Sequence, residues 1–416
     1  MPVRSVPSLK SNIGKIIFMD VSWTFLILMP VIVPFFQAKG LSLKEIFFLQ
    51  AFYSLIVLLF EIPSGYFADI LGRKRSLVLA GVLHGLGFSL FPFIESFEAF
   101  LLAEFLLAVG VSFFSGADIS LLYDSIFSIK KNPPTSIIVA KLLFYKQLSE
   151  SVAAIFTSVL ILISANLPVW FQAGASWLPL FFSFFLIEPE RITLNRKAHK
   201  QNFKLIFKTL FGSSKLLSLI ALTSMAYGTT GLLAAWSFQP YWKELDIKLA
   251  HFGILWALSN LIVAGVARVA PFIERRLGKI KTYLLIGITP LCAWFGMALS
   301  SYAPNNWSWV LFGVLIGFGH QFCRGLAQVL FTDLLNKMVP SEMRATINSI
   351  KSFGVRASFI FWGPVIGLSM DFYGISTAFT LMGVVFLLNF IFLILPLLFH
   401  IRAKKQLGLK NLDLVK

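Results

Sequence analysis

Ten ionisable side chains stand inside long apolar runs: Asp20, Glu61, Glu104, Asp118, Lys146, Glu150, Arg268, Arg324, Lys351 and Arg356. An ionised group at the centre of a bilayer costs roughly 2.5–3.5 kcal/mol on insertion scales, so each one needs a reason to be there. Acids predominate in the first half of the chain. Asp20, Glu150, Glu61, Glu104 and Asp118 are therefore candidate proton carriers. Lys146 and Glu150 lie four residues apart and can pair on one helix face. Bases dominate the second half, where Arg324, Lys351, Arg356 and Arg268 can hold an anionic group of a solute. Alternatively, opposite charges on the two halves pair and gate a cavity. His320, Gln321, Arg324 and Gln328 follow one another at helical spacing and project from one side of a helix. Arg324 leads the candidates for solute contact, the alternative being a salt bridge to a first-half acid. Tyr227, near Gly228 and Gly231, and Trp256 with Asn260 four residues on, complete the candidate solute-binding set.

Chemistry of other kinds finds no footing. There is no G-x-x-x-x-G-K-S/T phosphate loop and no H-E-x-x-H pair. The two cysteines, Cys292 and Cys323, fall in apolar runs and are expected as small buried hydrophobes. The longest polar stretch is too short for a soluble catalytic domain. No enzyme activity, metal or other cofactor is expected.

The elements that carry these residues follow from composition. The 416 residues are 57% hydrophobic and 13% charged, with 45 Phe, and the mean hydropathy is +0.81. Ordinary soluble chains are roughly 45–50% apolar and about 25% charged. A soluble globule would expose large apolar patches, and a disordered chain would be far more polar. The chain belongs in lipid, where a spanning helix needs about 20 apolar residues. Runs of that kind occur at 13–37, 44–68, 77–95, 98–124, 138–165, 167–187, 215–239, 249–273, 282–301, 308–334, 345–370 and 375–400. The expected architecture is all-α, with twelve membrane spans. A six-helix bundle over 1–187 and another over 215–400 are joined by a basic linker, 188–214, and followed by a tail, 401–416. Basic residues set the orientation. With the N-terminus inside, 26 Lys and Arg fall on inner segments and 4 on outer ones. Both termini are therefore expected in the cytoplasm, and the formal charge of +17 reads as an orientation signal rather than nucleic-acid binding. The first apolar run lacks a cleavage pattern and is expected to stay in the membrane.

The halves echo each other. Gly110, Gly116 and Asp124 match Gly319, Gly325 and Asp333 at one offset. Gly72 with Gly278, and Lys146 with Lys351, match at nearly the same offset. A duplicated six-helix unit explains this, and two such units can rock about a site at their interface.

The loop between the second and third runs reads Gly65-Tyr66-Phe67-Ala68-Asp69-Ile70-Leu71-Gly72-Arg73-Lys74-Arg75. It resembles the G-x-x-x-D-x-x-G-R-K/R-K/R loop of the major facilitator superfamily, and the span count and repeat extend the resemblance to the whole chain. Gly65 allows close helix approach in lipid, and Gly72 can end a helix in a left-handed turn. Arg73, Lys74 and Arg75 suit anionic headgroups. The resemblance implies a conformational latch in which Asp69 pairs with this loop and with the start of the eleventh helix, near Pro340-Ser341-Glu342. It also implies that spans three, six, nine and twelve face lipid, and none of the ten embedded charges lies on them. Family members often carry an Arg early in the fourth helix, where this chain has Glu104. A relay built on that Arg is not expected here.

The resulting expectation is a secondary transporter in the cytoplasmic (inner) membrane. It would move a small anionic or zwitterionic solute by alternating access, coupled to protons, and act as a monomer. An efflux pump for hydrophobic compounds is one alternative; a non-transporting receptor on a carrier fold is another.

Overall fold

The computed structural model describes residues 6–127, 135–189, 215–303, 306–339 and 344–406. These residues are helical almost throughout, with no strand among them. Ten helical stretches are long and apolar enough to cross a membrane. Two further spans are built from shorter pieces, giving the twelve-helix architecture.

The unbroken spans are the second, Leu43–Leu71; the third, Arg73–Leu90; the fifth, Thr135–Ile163; the seventh, Lys215–Glu244; the eighth, Phe252–Leu277; the ninth, Lys279–Ser300; and the eleventh, Arg344–Tyr373. The second span opens on a capping box. Ser42 Oγ accepts the Glu45 N–H at 3.3 Å and Glu45 Oε2 accepts the Ser42 N–H at 2.8 Å, which satisfies two of the amides that a helix start leaves free.

Four runs that read as continuous in the sequence are interrupted. The first span comprises Val6–Trp23 and, after an irregular stretch, Met29–Val31 and Ile32–Ala38. Pro30, just beyond the gap, contributes to it: its ring excludes a helical hydrogen bond and crowds the carbonyl four residues back, at Leu26, although Pro63 and Pro290 lie inside helices that stay continuous. The sixth splits into Leu167–Ala175 and Leu178–Phe184, where Pro179 acts in the same way. The fourth splits into Phe97–Phe114 and Ala117–Phe127 around Gly116, which has φ +84°. The tenth splits into Trp307–Gly317 and Gly319–Lys337. The twelfth, Ile375–Asn389 and Leu395–Gln406, contains one π-helical turn, Phe390–Ile394.

Contacts divide the chain into two compact units. The first holds Met1–Leu194 together with Lys248–Leu261; the second holds Asn195–Ile247 and Ile262–Lys416. The first third of the eighth span thus groups with the first unit. In that unit the second and third spans pack along the fourth. The third also packs on the sixth, across Gly81 and Gly85. A Cβ at Gly81 would come within 2.7 Å of Leu180 Cα, and one at Gly85 within 2.5 Å of the Trp177 ring. Helices in lipid associate by such close backbone approach. In the second unit the ninth span packs on the twelfth, and the seventh packs on the tenth and eleventh. Cys323 is buried as expected, whereas Cys292 lies on an exposed face of the ninth span. The linker from residue 190, the tail beyond residue 406 and the segment 340–343 lie outside the described residues.

The gap in the first span is bridged by side chains from its neighbours. Ser149 Oγ donates to Val21 O at 2.7 Å and Thr157 Oγ1 donates to Ile27 O at 2.5 Å, both from the fifth span. Gln172 Oε1, from the sixth, accepts the Leu28 N–H at 3.3 Å. Without water, each such group needs a partner inside the protein. Thr157→Val should leave Ile27 O unpaired and destabilise the fold by about 1–3 kcal/mol. Thr157→Ser should retain most of the stability. Thermal unfolding of the two variants in one detergent reads the difference; equal midpoints would mean that the bond is dispensable.

Candidate functional site

Three ionisable side chains meet inside the first unit. Asp20, near the end of the first helical piece, is fully buried, and Asp118 stands in the first turn after the break at Gly116. Lys146, from the fifth span, reaches both. Its Nζ lies 3.4 Å from Asp20 Oδ1 and 3.5 Å from Asp118 Oδ2. Asp20 Oδ2 and Asp118 Oδ1 are buried and have no hydrogen-bond partner among the described residues. One lysine is therefore shared by two carboxylates, each with an oxygen to spare.

Aromatic rings surround this cluster. The Trp23 ring stacks between Phe114, at 3.9 Å, and His84, at 4.2 Å. Lys146 Nζ stands 5.6 Å over the Phe114 ring, close enough for cation–π attraction. His84 Nε2 is buried without a partner among the described residues.

The expected i,i+4 pair of Lys146 with Glu150 is not the one that forms. Lys146 turns to the two aspartates, which offer it more negative charge, and Glu150 Oε1 accepts the Trp256 Nε1–H at 3.2 Å. The same face of the fifth span receives Gly253, where a Cβ would lie 2.0 Å from Ala154 O and 2.5 Å from Ser158 Oγ. Asn260 groups with the first unit too, and its Nδ2 lacks a partner among the described residues. Glu104 lies apart from the triad. It is buried in the fourth span and its Oε1 accepts Gln50 Nε2 at 3.0 Å. Glu61 is half-buried on the second span.

The loop after the second span is held from a direction that sequence reading missed. Gly72 has φ +114°, a backbone that side chains rarely adopt. The next two amides, of Arg73 and Lys74, donate to Glu188 Oε1 and Oε2 at 3.1 and 2.6 Å. Glu188 thus caps the third helix, where an anion is favoured. Arg73 pairs with Asp124 and donates to Ser120 O at 2.5 Å, and Lys74 Nζ donates to Phe184 O at 2.7 Å. Asp69 and Arg75 are exposed. At Gly65 a Cβ would meet nothing within 4 Å, because that side of the second span is open, so the close approach expected there is not made. The only sequence signal for Glu188 was its position as the first acid after the uncharged sixth span.

In the second unit His320 is fully buried. Its Nδ1 lies 3.4 Å from Thr230 Oγ1 and its ring 4.4 Å from that of Trp294. His320 Nε2 and Gln321 Oε1 have no partner among the described residues. Arg324 runs its stem past Gly231, where a Cβ would lie 3.1 Å from Arg324 Cδ. Lys351 Nζ donates to Thr332 Oγ1 at 2.7 Å. Among the described residues no carboxylate lies in ion-pair range of Arg268, Arg324, Lys351 or Arg356. Tyr227 is core: its ring packs edge-on against Phe386 and its hydroxyl faces Gly287 O at 3.5 Å.

Comparisons with known proteins agree with this architecture. The family model described as Major Facilitator Superfamily matches residues 16–349. The uncharacterised MFS-type transporter YxaM of Bacillus subtilis (strain 168) is 23% identical over 390 residues, covering 89% of this chain and 90% of that protein. The nucleoside transporter NupG superposes with a TM-score of 0.72 at 14% identity, covering 96% of this chain and 99% of that one. A D-xylose-proton symporter gives 0.67 at 14%, with coverage of 93% and 97%.

Lys146→Met should strand two buried carboxylates and cost about 3–5 kcal/mol. Adding Asp20→Asn and Asp118→Asn should restore much of the loss. Thermal unfolding of the single and triple variants measures this, and a single variant as stable as the parent would show that the lysine does not hold the pair.

Proposed function

This chain belongs to the Major Facilitator Superfamily, a family of membrane transporters, and from that premise we propose that it carries a small anionic or zwitterionic solute by alternating access, coupled to protons. The observation that carries the reading is a mismatch of charge within the spans. In the first unit two aspartates share one lysine. In the second, no carboxylate among the described residues lies in ion-pair range of Arg324, Lys351, Arg356 or Arg268. A cation left without a counter-ion in a low-dielectric setting favours an anionic ligand.

Roles follow for the named residues. Asp20 and Asp118 exchange the proton, and Lys146 neutralises whichever carboxylate is ionised. Glu104 and Glu150, each engaged by one neutral donor, and Glu61 are secondary candidates. Arg324 binds the acidic group of the solute, with Lys351, Arg356 and Arg268 raising the local potential. His320, Gln321, Trp256 and Asn260 contribute polar contacts. Tyr227 supports the seventh span rather than the solute. Gly65, Asp69, Gly72, Arg73, Lys74 and Arg75 form the latch, which Glu188 anchors. The protein acts as a monomer in the cytoplasmic membrane, with both termini inside. That a protein of the same fold is described as a proton symporter supports the coupling.

The test is uptake by proteoliposomes under an imposed pH gradient, over a panel of small organic anions, zwitterions, nucleosides and pentoses. The parent should accumulate an acidic member. Asp20→Asn should abolish accumulation driven by the gradient yet leave solute exchange intact. Arg324→Ala should weaken binding at fixed pH by about tenfold or more, the loss of one charged hydrogen bond of ~1.5–3 kcal/mol. Gradient-driven accumulation by Asp20→Asn and Asp118→Asn at the parent's level would remove the aspartates from coupling. Unchanged affinity in Arg324→Ala and Lys351→Ala would remove the anionic cargo. No flux over the whole panel would favour the receptor reading.

A further inference from the structure

The second unit contains a cavity of about 390 Å³ that none of the embedded cations lines. It lies between the seventh, eleventh and twelfth spans, and its size falls within the ~300–1,000 Å³ range of small-molecule sites. Met225, Trp362 and Phe386 supply apolar walls. On the eleventh span Ala357 presents only a methyl group to the cavity, and Gly354 gives its room to Met225. A Cβ at Gly354 would lie 2.3 Å from Met225 Sδ, so the thioether rests directly on that helix, and methionine adapts readily to different occupants.

Two polar residues break the apolar lining. Ser358 and Asn389 both border the cavity, and neither side chain makes a hydrogen bond or ion pair among the described residues. Asn389 belongs to the most apolar span of the chain and directly precedes the π-helical turn Phe390–Ile394. An amide kept from water without a partner is costly, and π turns are frequent at functional sites. Thr229, also on the wall, is already committed, since its hydroxyl donates to Met225 O at 2.9 Å. No lining residue is charged. Of the ten long spans, the eleventh and twelfth are the least covered by the rest of the described chain.

We infer that this cavity binds, within the thickness of the membrane, an uncharged single-chain amphiphile: an alkyl chain ending in one hydroxyl or amide group. Ser358 and Asn389 hold the head, and the apolar walls hold the chain. An ionised head is disfavoured because nothing on the wall can pair with it. The volume is at the lower end of the small-molecule range, which suits a single chain rather than a two-chain lipid. The site is separate from Arg324 and does not depend on what the protein carries.

The full-length protein in nanodiscs is photolabelled with dodecanol bearing a diazirine, and the adducts are mapped by mass spectrometry. Adducts should concentrate on the peptides holding Met225, Trp362 and Phe386 and disappear with excess dodecanol. Ser358→Leu, which fills the cavity, should cut them at least fivefold. Asn389→Leu should cut alcohol labelling while sparing a diazirine-bearing dodecane, a split that a merely structural defect would not produce. Thermal unfolding of both variants serves as the folding control; if either misfolds, Ala357→Val provides the cavity-filling test. Three outcomes overturn the inference: adducts spread evenly over the exposed apolar surface, undiminished labelling in a folded cavity-filling variant, or equal competition by dodecanoate or by a diacyl phosphatidylcholine.

Discussion

The structure depends on a constraint that soluble proteins escape: inside a bilayer there is no water to satisfy a polar group. Helices meet it for the backbone by pairing every N–H and C=O internally. The first span breaks that rule at residues 24–28, and three neighbouring side chains restore the balance. Ser149, Thr157 and Gln172 are unremarkable in composition, yet their positions decide whether the span can be discontinuous at all. The break follows Asp20 by a single turn. An ionisable group and the irregular backbone beside it are thus both held by the fifth span, through Lys146 and through Ser149 and Thr157.

The same constraint shapes the charges. Lys146 answers two aspartates instead of one, and Glu188 answers two backbone amides. Both are economical arrangements in which one group satisfies two. They differ in what is left over. Glu188 commits both its oxygens, as a fixed anchor should. Asp20 and Asp118 each retain an unengaged oxygen, which is what a group needs if it is to change its bonding during a cycle. Glu104, with one neutral donor from Gln50 on a single oxygen, resembles the aspartates more than the anchor.

Much of this was legible in the sequence. Apolar runs, basic loops and the Gly65–Arg75 motif specify the fold, because hydropathy is a one-dimensional property and lipid enforces it strictly. Helix continuity was less legible. Pro30 and Pro179 could have been read as breaks, but apolar runs continue across them and hide the interruption. Partner choice was illegible. Lys146 sits four residues from Glu150 yet pairs with residues 126 and 28 positions away, because rotation and tilt of the helices decide which faces meet. Glu188 escaped notice for a similar reason: it belongs by sequence to the polar linker and by contact to the third helix.

The shared lysine also has an electrical consequence. With both aspartates ionised, the Asp20–Lys146–Asp118 cluster bears one net negative charge; with one of them protonated, it bears none. A membrane potential of about 100 mV acts on a full elementary charge crossing the whole field with ~2.3 kcal/mol, and on a neutral centre not at all. In a cycle that loads one proton on this cluster, voltage would act on the cluster in the step taken empty and not in the loaded one. The ratio of one lysine to two acids would then set the share that this cluster adds, beside the second-unit cations and the solute, to the charge the cell's potential moves in each half of the cycle.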